Sequence, residues 1–199
     1  MPKTTSSSLS KRWTAASINF LTQDEMRRLL DVMDVKRDYA IFLLAYRHGL
    51  RASEVGMLRR DDLDLKQYRL RIHRLKNSLA GLHPLQPDEV KAVKAYIKER
   101  ESSAPSLFLS RNNAPISRRR LDELMKHYGG RAGIPASKRH FHALKHSIAT
   151  HLLDAGADLR FVQDWMGHAS IANTIIYAQL TSRRRDEEAR KVFTSPYVV

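Results

Sequence analysis

No cysteine occurs in the 199 residues, which excludes a disulfide framework and any thiolate nucleophile or thiolate metal site. Long apolar runs are also missing: no stretch approaches the roughly 18 residues that a membrane-spanning helix needs. Acidic residues are scarce, 21 against 35 lysines and arginines, so the formal charge is +14 and the pI is near 10.3. Such an excess bears on partners and not on fold, and a polyanion is the first candidate. What is present suffices for a core. Hydrophobic residues make up 42% of the chain, which argues against global disorder, and the length suits one domain, or one domain with a tail.

The opening "MPKTTSSSLSKRWTAAS" is rich in serine and threonine, basic and free of acids. A transit-type leader has this composition, and so does a flexible arm that follows a phosphate backbone. Residues 1–19 are expected to form such an arm and residues 20–199 one domain. "TQDE" reads as a capping box with Thr22 as N-cap and Glu25 three residues on. A second helix carrying Tyr39, Phe42, Leu43 and Tyr46 should stop at Gly49, and a short third one should be capped by Ser53. The period then changes to two in "YRLRIH", where Tyr68, Leu70 and Ile72 alternate with basic residues as in a half-buried strand. "NSLAG" supplies a turn, and "HPLQP" returns as a second strand. Helical spacing resumes from Pro87 to about Arg100, and "SLFLS" reads as a strand or a buried extended segment. Ser117 should cap a helix that ends at Gly129-Gly130. Helices are then expected at 142–155, 158–166 and 170–180, with a charged one at 183–193. The fold class is mostly α with a small antiparallel β-sheet (α+β).

Four stretches carry reactive residue types, and each alone has an ordinary explanation. Arg51 with Glu54 in "GLRASE" could be a surface ion pair. Lys76 in "HRLKNS" could be plain turn chemistry, and His168 in "WMGHAS" a loop histidine. In "HALKHSIATHLL", Leu144, Ile148 and Leu152 recur as a buried stripe, while His142, Lys145 and His146 crowd cations onto the first turns. Tyr177 is expected off the apolar stripe of Ile171, Thr174, Ile175 and Ala178, and so need not be a core residue.

Taken in order, "GLRASE", "HRLK", "HALKHSIATHLL" and "MGHASIANTIIY" resemble the catalytic domain of the tyrosine recombinase (phage integrase) family. The likeness runs from about Phe20 to Phe193, and "HGLRASE", "IHRLK" and "HPL" are similar to the short recombinases that invert fimbrial promoter segments. It implies that Tyr177 attacks a scissile phosphate and forms a 3′-phosphotyrosyl link, which conserves the bond energy. Arg51 would clamp a non-bridging oxygen, Lys76 would protonate the leaving 5′-oxygen, and His142 would assist proton transfer at the tyrosine. His168 would hydrogen-bond the phosphate, and Glu54 would orient the cations. Lys145, one turn from His142, would face the scissile phosphate beside it, and the family has arginine at this position. Lysine keeps the charge and loses the bidentate fork, and one lost donor of this kind typically costs about 3–4 kcal/mol. Arg139, just upstream, is placed to compensate.

Protein cations can hold the developing charge, so neither metal nor other cofactor is expected. A metal site built on His142 and His146 finds no convincing third ligand nearby in the sequence. The partners implied are double-stranded DNA, further copies of the chain as a tetramer on DNA, and an accessory DNA-bending protein; no membrane is expected. Arg118, Arg119 and Arg120 are candidates for backbone contacts, with Arg139. The helical core-binding domain of larger recombinases is expected to be absent, and the location is expected to be cytoplasmic, at the nucleoid. Two rivals remain: a DNA-binding regulator that does not cleave, and a type IB topoisomerase.

Overall fold

The computed structural model describes residues 18–74 and 78–178, together with residue 190. Helix α1 is Gln23–Asp31, and its capping box is formed: Thr22 Oγ1 accepts the Glu25 N–H at 3.1 Å, and Glu25 Oε2 accepts the Thr22 N–H at 2.7 Å. Helix α2, Lys36–Arg47, buries a continuous run from Ala40 to Ala45. It ends where expected, at Gly49, whose φ of +57° suits a residue without a side chain. Helix α3 is Ala52–Met57. Its cap is not Ser53, which lies inside the helix. Arg51 is the N-cap, and Glu54 reaches back three residues to accept its N–H at 2.8 Å.

Three short antiparallel strands follow in the order β1 (Leu63–Asp64), β2 (Arg69–Ile72) and β3 (Gly81–Pro84), with Leu70 opposite His83 and Ile72 opposite Gly81. Leu70 and Ile72 are fully buried while Arg69 and Arg71 are exposed, as the alternation requires. Tyr68 departs from it. With φ at +54° it turns the chain before β2, and its ring lies exposed. Strand β1 is too short to leave a period in the sequence.

Helix α4, Pro87–Glu99, packs on α2. "SLFLS" becomes a buried extended segment, pinned by isolated bridges from Arg59 to Ser106 and from Leu109 to Pro115. Helix α5, Arg118–Arg131, is capped by Ser117 Oγ on the Arg120 N–H at 3.1 Å. It runs through Gly129-Gly130 instead of stopping there. A Cβ on Gly129 would lie 3.1 Å from Arg139 Cγ, so this glycine makes room for a crossing side chain, and the turn falls at Gly133 with φ +66°.

Helices α6 (His142–Asp154), α7 (Leu159–Trp165, capped by Asp158) and α8 (Ala172–Ala178) complete the described fold. The charged helix expected at 183–193 lies outside the described residues apart from residue 190, which is helical. A large apolar core joins α1, α2, α4, α5 and the sheet, and a smaller one holds Ile18, Ile148, Leu153, Val162, Met166 and Tyr177. Helix α6 runs between them. Leu144 enters the first core and Ile148 the second, so almost every face of α6 is inside, and its polar residues are buried with its apolar ones.

Candidate active site

A cleft of about 540 Å³ opens between α3, α5 and α6, with Arg51, Arg118, Arg139, His140, His142 and His146 on its walls. A larger hollow of about 650 Å³ surrounds Arg37, Asp38 and Tyr128, but Arg120 is the sole sequence-predicted site residue on its wall. The chemistry belongs to the smaller cleft.

Glu54 organises that cleft from below. Its carboxylate is 1% exposed; Oε1 accepts from Arg51 Nη1 at 2.7 Å, and Oε2 accepts from Arg74 Nη1 at 2.8 Å. Burial pushes the carboxyl pKa up, but the Arg74 charge, the Arg51 N–H and the nearby Lys145 together hold it below the usual value. Glu54 therefore stays ionised and fixes the direction of the Arg51 fork.

Arg74 did not emerge from the motifs. Its side chain is buried and gives its other donors to the carbonyls of His48 at 2.9 Å, Gly49 at 3.0 Å and Trp165 at 3.0 Å. A signal existed: position 74 continues the buried phase of Leu70 and Ile72, where a charged residue needs partners.

Lys145 is also used internally. It was expected to face the cleft beside His142, but it is 2% exposed and its Nζ donates to Gly49 O at 2.9 Å and Met166 O at 3.0 Å. Burial first, then the charges of Arg74 and Arg51, draw its pKa well below that of an ordinary lysine. The physical reason is the position of α6: between two cores, a short ammonium stem reaches main-chain carbonyls before it reaches solvent.

The Gly-His pair lies on the loop after α7. Gly167 has φ +64°, and a Cβ there would come within 2.7 Å of Leu79 O. That close approach lets Gly167 O accept the Leu79 N–H at 3.1 Å and pairs Ser78 with His168, while Arg51 Nη1 donates to Ser78 Oγ at 3.2 Å. The returning arm of the hairpin is thus joined to both motifs; Lys76 itself lies outside the described residues. His168 shares a 3.0 Å hydrogen bond with Thr174 Oγ1, and burial, followed by the charges of Lys145, Arg51 and Arg74, pushes its pKa down to about 3.

Tyr177 is not off the buried face. It is 3% exposed, while Ile175 on the expected apolar stripe is exposed. Helix α8 turns Thr174 and Tyr177 inward because α6 and the Gly-His loop offer both phenol and hydroxyl a polar partner. Tyr177 Oη lies 2.9 Å from Nδ1 of His146. Burial raises the phenol's pKa, and the Arg51 charge opposes the rise. His142, expected at the tyrosine, instead meets His146 edge-on with ring centres 4.5 Å apart. Its own pKa falls to about 4 through burial, then the charges of Lys145 and Arg51.

The arginines at the start of α5 diverge. Arg118 lines the cleft; Arg119 and Arg120 both pair with Glu123, at 3.0 and 3.3 Å, and Arg120 borders the larger hollow. Arg139 lines the cleft while its Nε donates to Ile134 O at 2.5 Å. Among the described residues no helix is long and apolar enough to cross a membrane.

Comparison with known proteins identifies the family of the chain. A model of the phage integrase family matches residues 19–184. Type 1 fimbriae regulatory protein FimB of Escherichia coli K12 is 37% identical over 174 residues, covering 83% of this chain and 86% of that protein. FimE of the same strain is 38% identical over 153 residues, covering 74% of this chain and 77% of that protein. Tyrosine recombinase XerA of Pyrococcus furiosus is 32% identical over 176 residues, covering 86% of this chain and 60% of that protein. A crystal structure of XerA recombinase superposes with a TM-score of 0.76 at 27% identity, over 98% of this chain and 68% of the other. XerH recombinase in a post-cleavage complex with its difH substrate shares the fold, with a TM-score of 0.74 at 23% identity, over 86% of this chain and 52% of the other. The chain belongs to the phage integrase family, the tyrosine recombinases.

Proposed function

We propose that this protein cleaves and rejoins duplex DNA at specific sites, with Tyr177 as the nucleophile and a 3′-phosphotyrosyl link as the intermediate. One observation carries the reading: Tyr177 is hydrogen-bonded to a wall residue of a cleft that also holds Arg51, and behind Arg51 the Glu54 carboxylate gathers Arg74 and the charge of Lys145. A desolvated set of fixed cations stabilises charge that develops on a transferring phosphoryl group. Arg51 binds a non-bridging oxygen, His142 and His168 add hydrogen bonds to the phosphate, and Lys76 on the hairpin protonates the leaving 5′-oxygen. Lys145 contributes its charge from behind and holds the turns that carry Arg51 and His168. Arg118 and Arg139 meet the flanking backbone. A regulator that does not cleave has no need of a tyrosine sealed beside such a cleft.

The same reading puts several copies on the DNA, four at strand exchange, with residues 1–19 following the DNA backbone and residues 183–193 contacting a neighbour. An accessory DNA-bending protein assists the assembly. The test is a nicked suicide duplex bearing the native repeats. The parent protein should accumulate a covalent adduct, and Tyr177→Phe should bind equally well and form none. An adduct with the phenylalanine variant would overturn the assignment.

A further inference from the structure

Among the described residues, the hydrogen bond of Tyr177 runs to His146 and not to His142, the histidine that the motif suggests. His146 Nδ1 is 2.9 Å from Tyr177 Oη. With the phenol as donor, Nδ1 is the acceptor and the neutral ring carries its proton on Nε2. His146 lines the cleft beside Arg51 and His142, so it touches both the nucleophile and the space where the phosphate must sit.

Resting on the reading of Tyr177 as nucleophile, we propose that His146 takes the tyrosine proton during cleavage and returns it during rejoining. As the Tyr177 Oη–phosphorus bond forms, the phenolic proton passes to His146 Nδ1, and the phosphorus–5′-oxygen bond breaks with a proton from Lys76. Rejoining reverses each transfer, so the imidazolium is the acid that releases the tyrosine.

The protein's own surroundings oppose this transfer. Burial first, then the charges of His142, His140 and Lys145, keep His146 down at about 3, while burial raises the phenol. Around it stand Lys145 and His142 on α6, His140 before α6 and Tyr177 on α8, with Arg51, Arg118, Lys126, Arg139 and the carboxylate of Asp122 also on the cleft wall. A phosphodiester adds one negative charge to this cationic site, and an opposite charge within about 4–6 Å favours the protonated ring. The imidazole thereby becomes a competent base when substrate is bound.

The test uses the full chain and a suicide duplex, with single-turnover adduct formation followed from about pH 7 to about pH 9.5. His146→Ala should form adduct at least about 10²-fold more slowly near neutrality. The deficit should shrink as pH rises, because hydroxide can then remove the proton. His146→Asn keeps a hydrogen-bonding group near Tyr177 but no basic nitrogen, and should be as slow as the alanine variant. Recovery with asparagine, or a deficit constant across pH, would assign His146 a positioning role and overturn the proposal; unchanged rates in both variants would do the same. Failure of the parent protein to form any adduct would instead remove the Tyr177 reading on which the proposal stands.

Discussion

Two groups of cations divide this molecule. Arg74 and Lys145 are 1% and 2% exposed and spend their donors on carbonyls at the ends of α2 and α7. Arg118 and Arg119, at the start of α5, are 81% and 91% exposed and carry only i, i+4 acidic neighbours. The net charge of +14 counts both groups alike. Only the second group can displace counterions from DNA. The first builds a fixed field and a fixed geometry, which a mobile surface cation cannot do. The inner pair is balanced by a single buried carboxylate, Glu54, and by main-chain dipoles, so its excess charge bears on whatever enters the cleft.

The largest effect should come from breaking the inner group at Arg74. Arg74→Ala removes bonds to Glu54, His48, Gly49 and Trp165 at once and leaves Glu54 with one buried partner fewer. Removing one member of a buried pair costs about 3–5 kcal/mol, against a total stability of about 5–15 kcal/mol. The melting temperature should fall by roughly 10 °C or more, and cleavage should vanish with it. Arg74→Lys should recover only part, since an ammonium cannot serve four acceptors. A melting temperature within about 2 °C of the parent for Arg74→Ala would show that the inner network is not structural.

A smaller effect is expected at Lys145. Lys145→Met fills the space and withdraws two donors, leaving Met166 O without this partner and Gly49 O with Arg74 alone. An unsatisfied buried acceptor costs about 1–3 kcal/mol. Stability and cleavage should both drop while duplex affinity stays. Lys145→Arg keeps the charge and has donors for the carbonyls and the cleft together, so cleavage should be maintained or rise. The comparison turns on the pair of variants: if Lys145→Met melts and cleaves like the parent, Lys145 does not hold the two turns.

Why some of this was legible in the sequence and some not follows from range. The Thr22 capping box, the stop at Gly49, the Ser117 cap and the alternation of Leu70 and Ile72 are local, and each is where its spacing places it. The order of the motifs was enough to identify the family. Side-chain direction was not legible where an element is buried on all sides. On α6 the spacing of His142 and Lys145 puts them on one face, yet His142 reaches the cleft and Lys145 reaches the turns. On α8 the apolar spacing points to the wrong face, because Thr174 and Tyr177 turn inward to hydrogen-bond partners on the Gly-His loop and on α6. At Gly129-Gly130 a crossing arginine left the same mark as a helix stop.

The smallest effect tests the outer group. Arg118 lines the cleft, with Asp122 4.0 Å away, whereas Arg120 is paired with Glu123 and borders the hollow away from it. Arg118→Ala should weaken binding of duplexes of any sequence by a similar factor and lower the slope of log affinity against log salt by about one. Folding should be unchanged, since a surface substitution rarely moves stability by more than about 0.5 kcal/mol. Arg120→Ala should leave both affinity and slope near the parent values, because its charge is paired with Glu123 and is not on the cleft wall. The measurement is a titration of each variant at several salt concentrations on specific and unrelated duplexes. Equal slopes for Arg118→Ala and Arg120→Ala would mean that the cleft does not set the path of the backbone. A sequence-dependent loss at Arg118 would mean that it reads bases as well as phosphates.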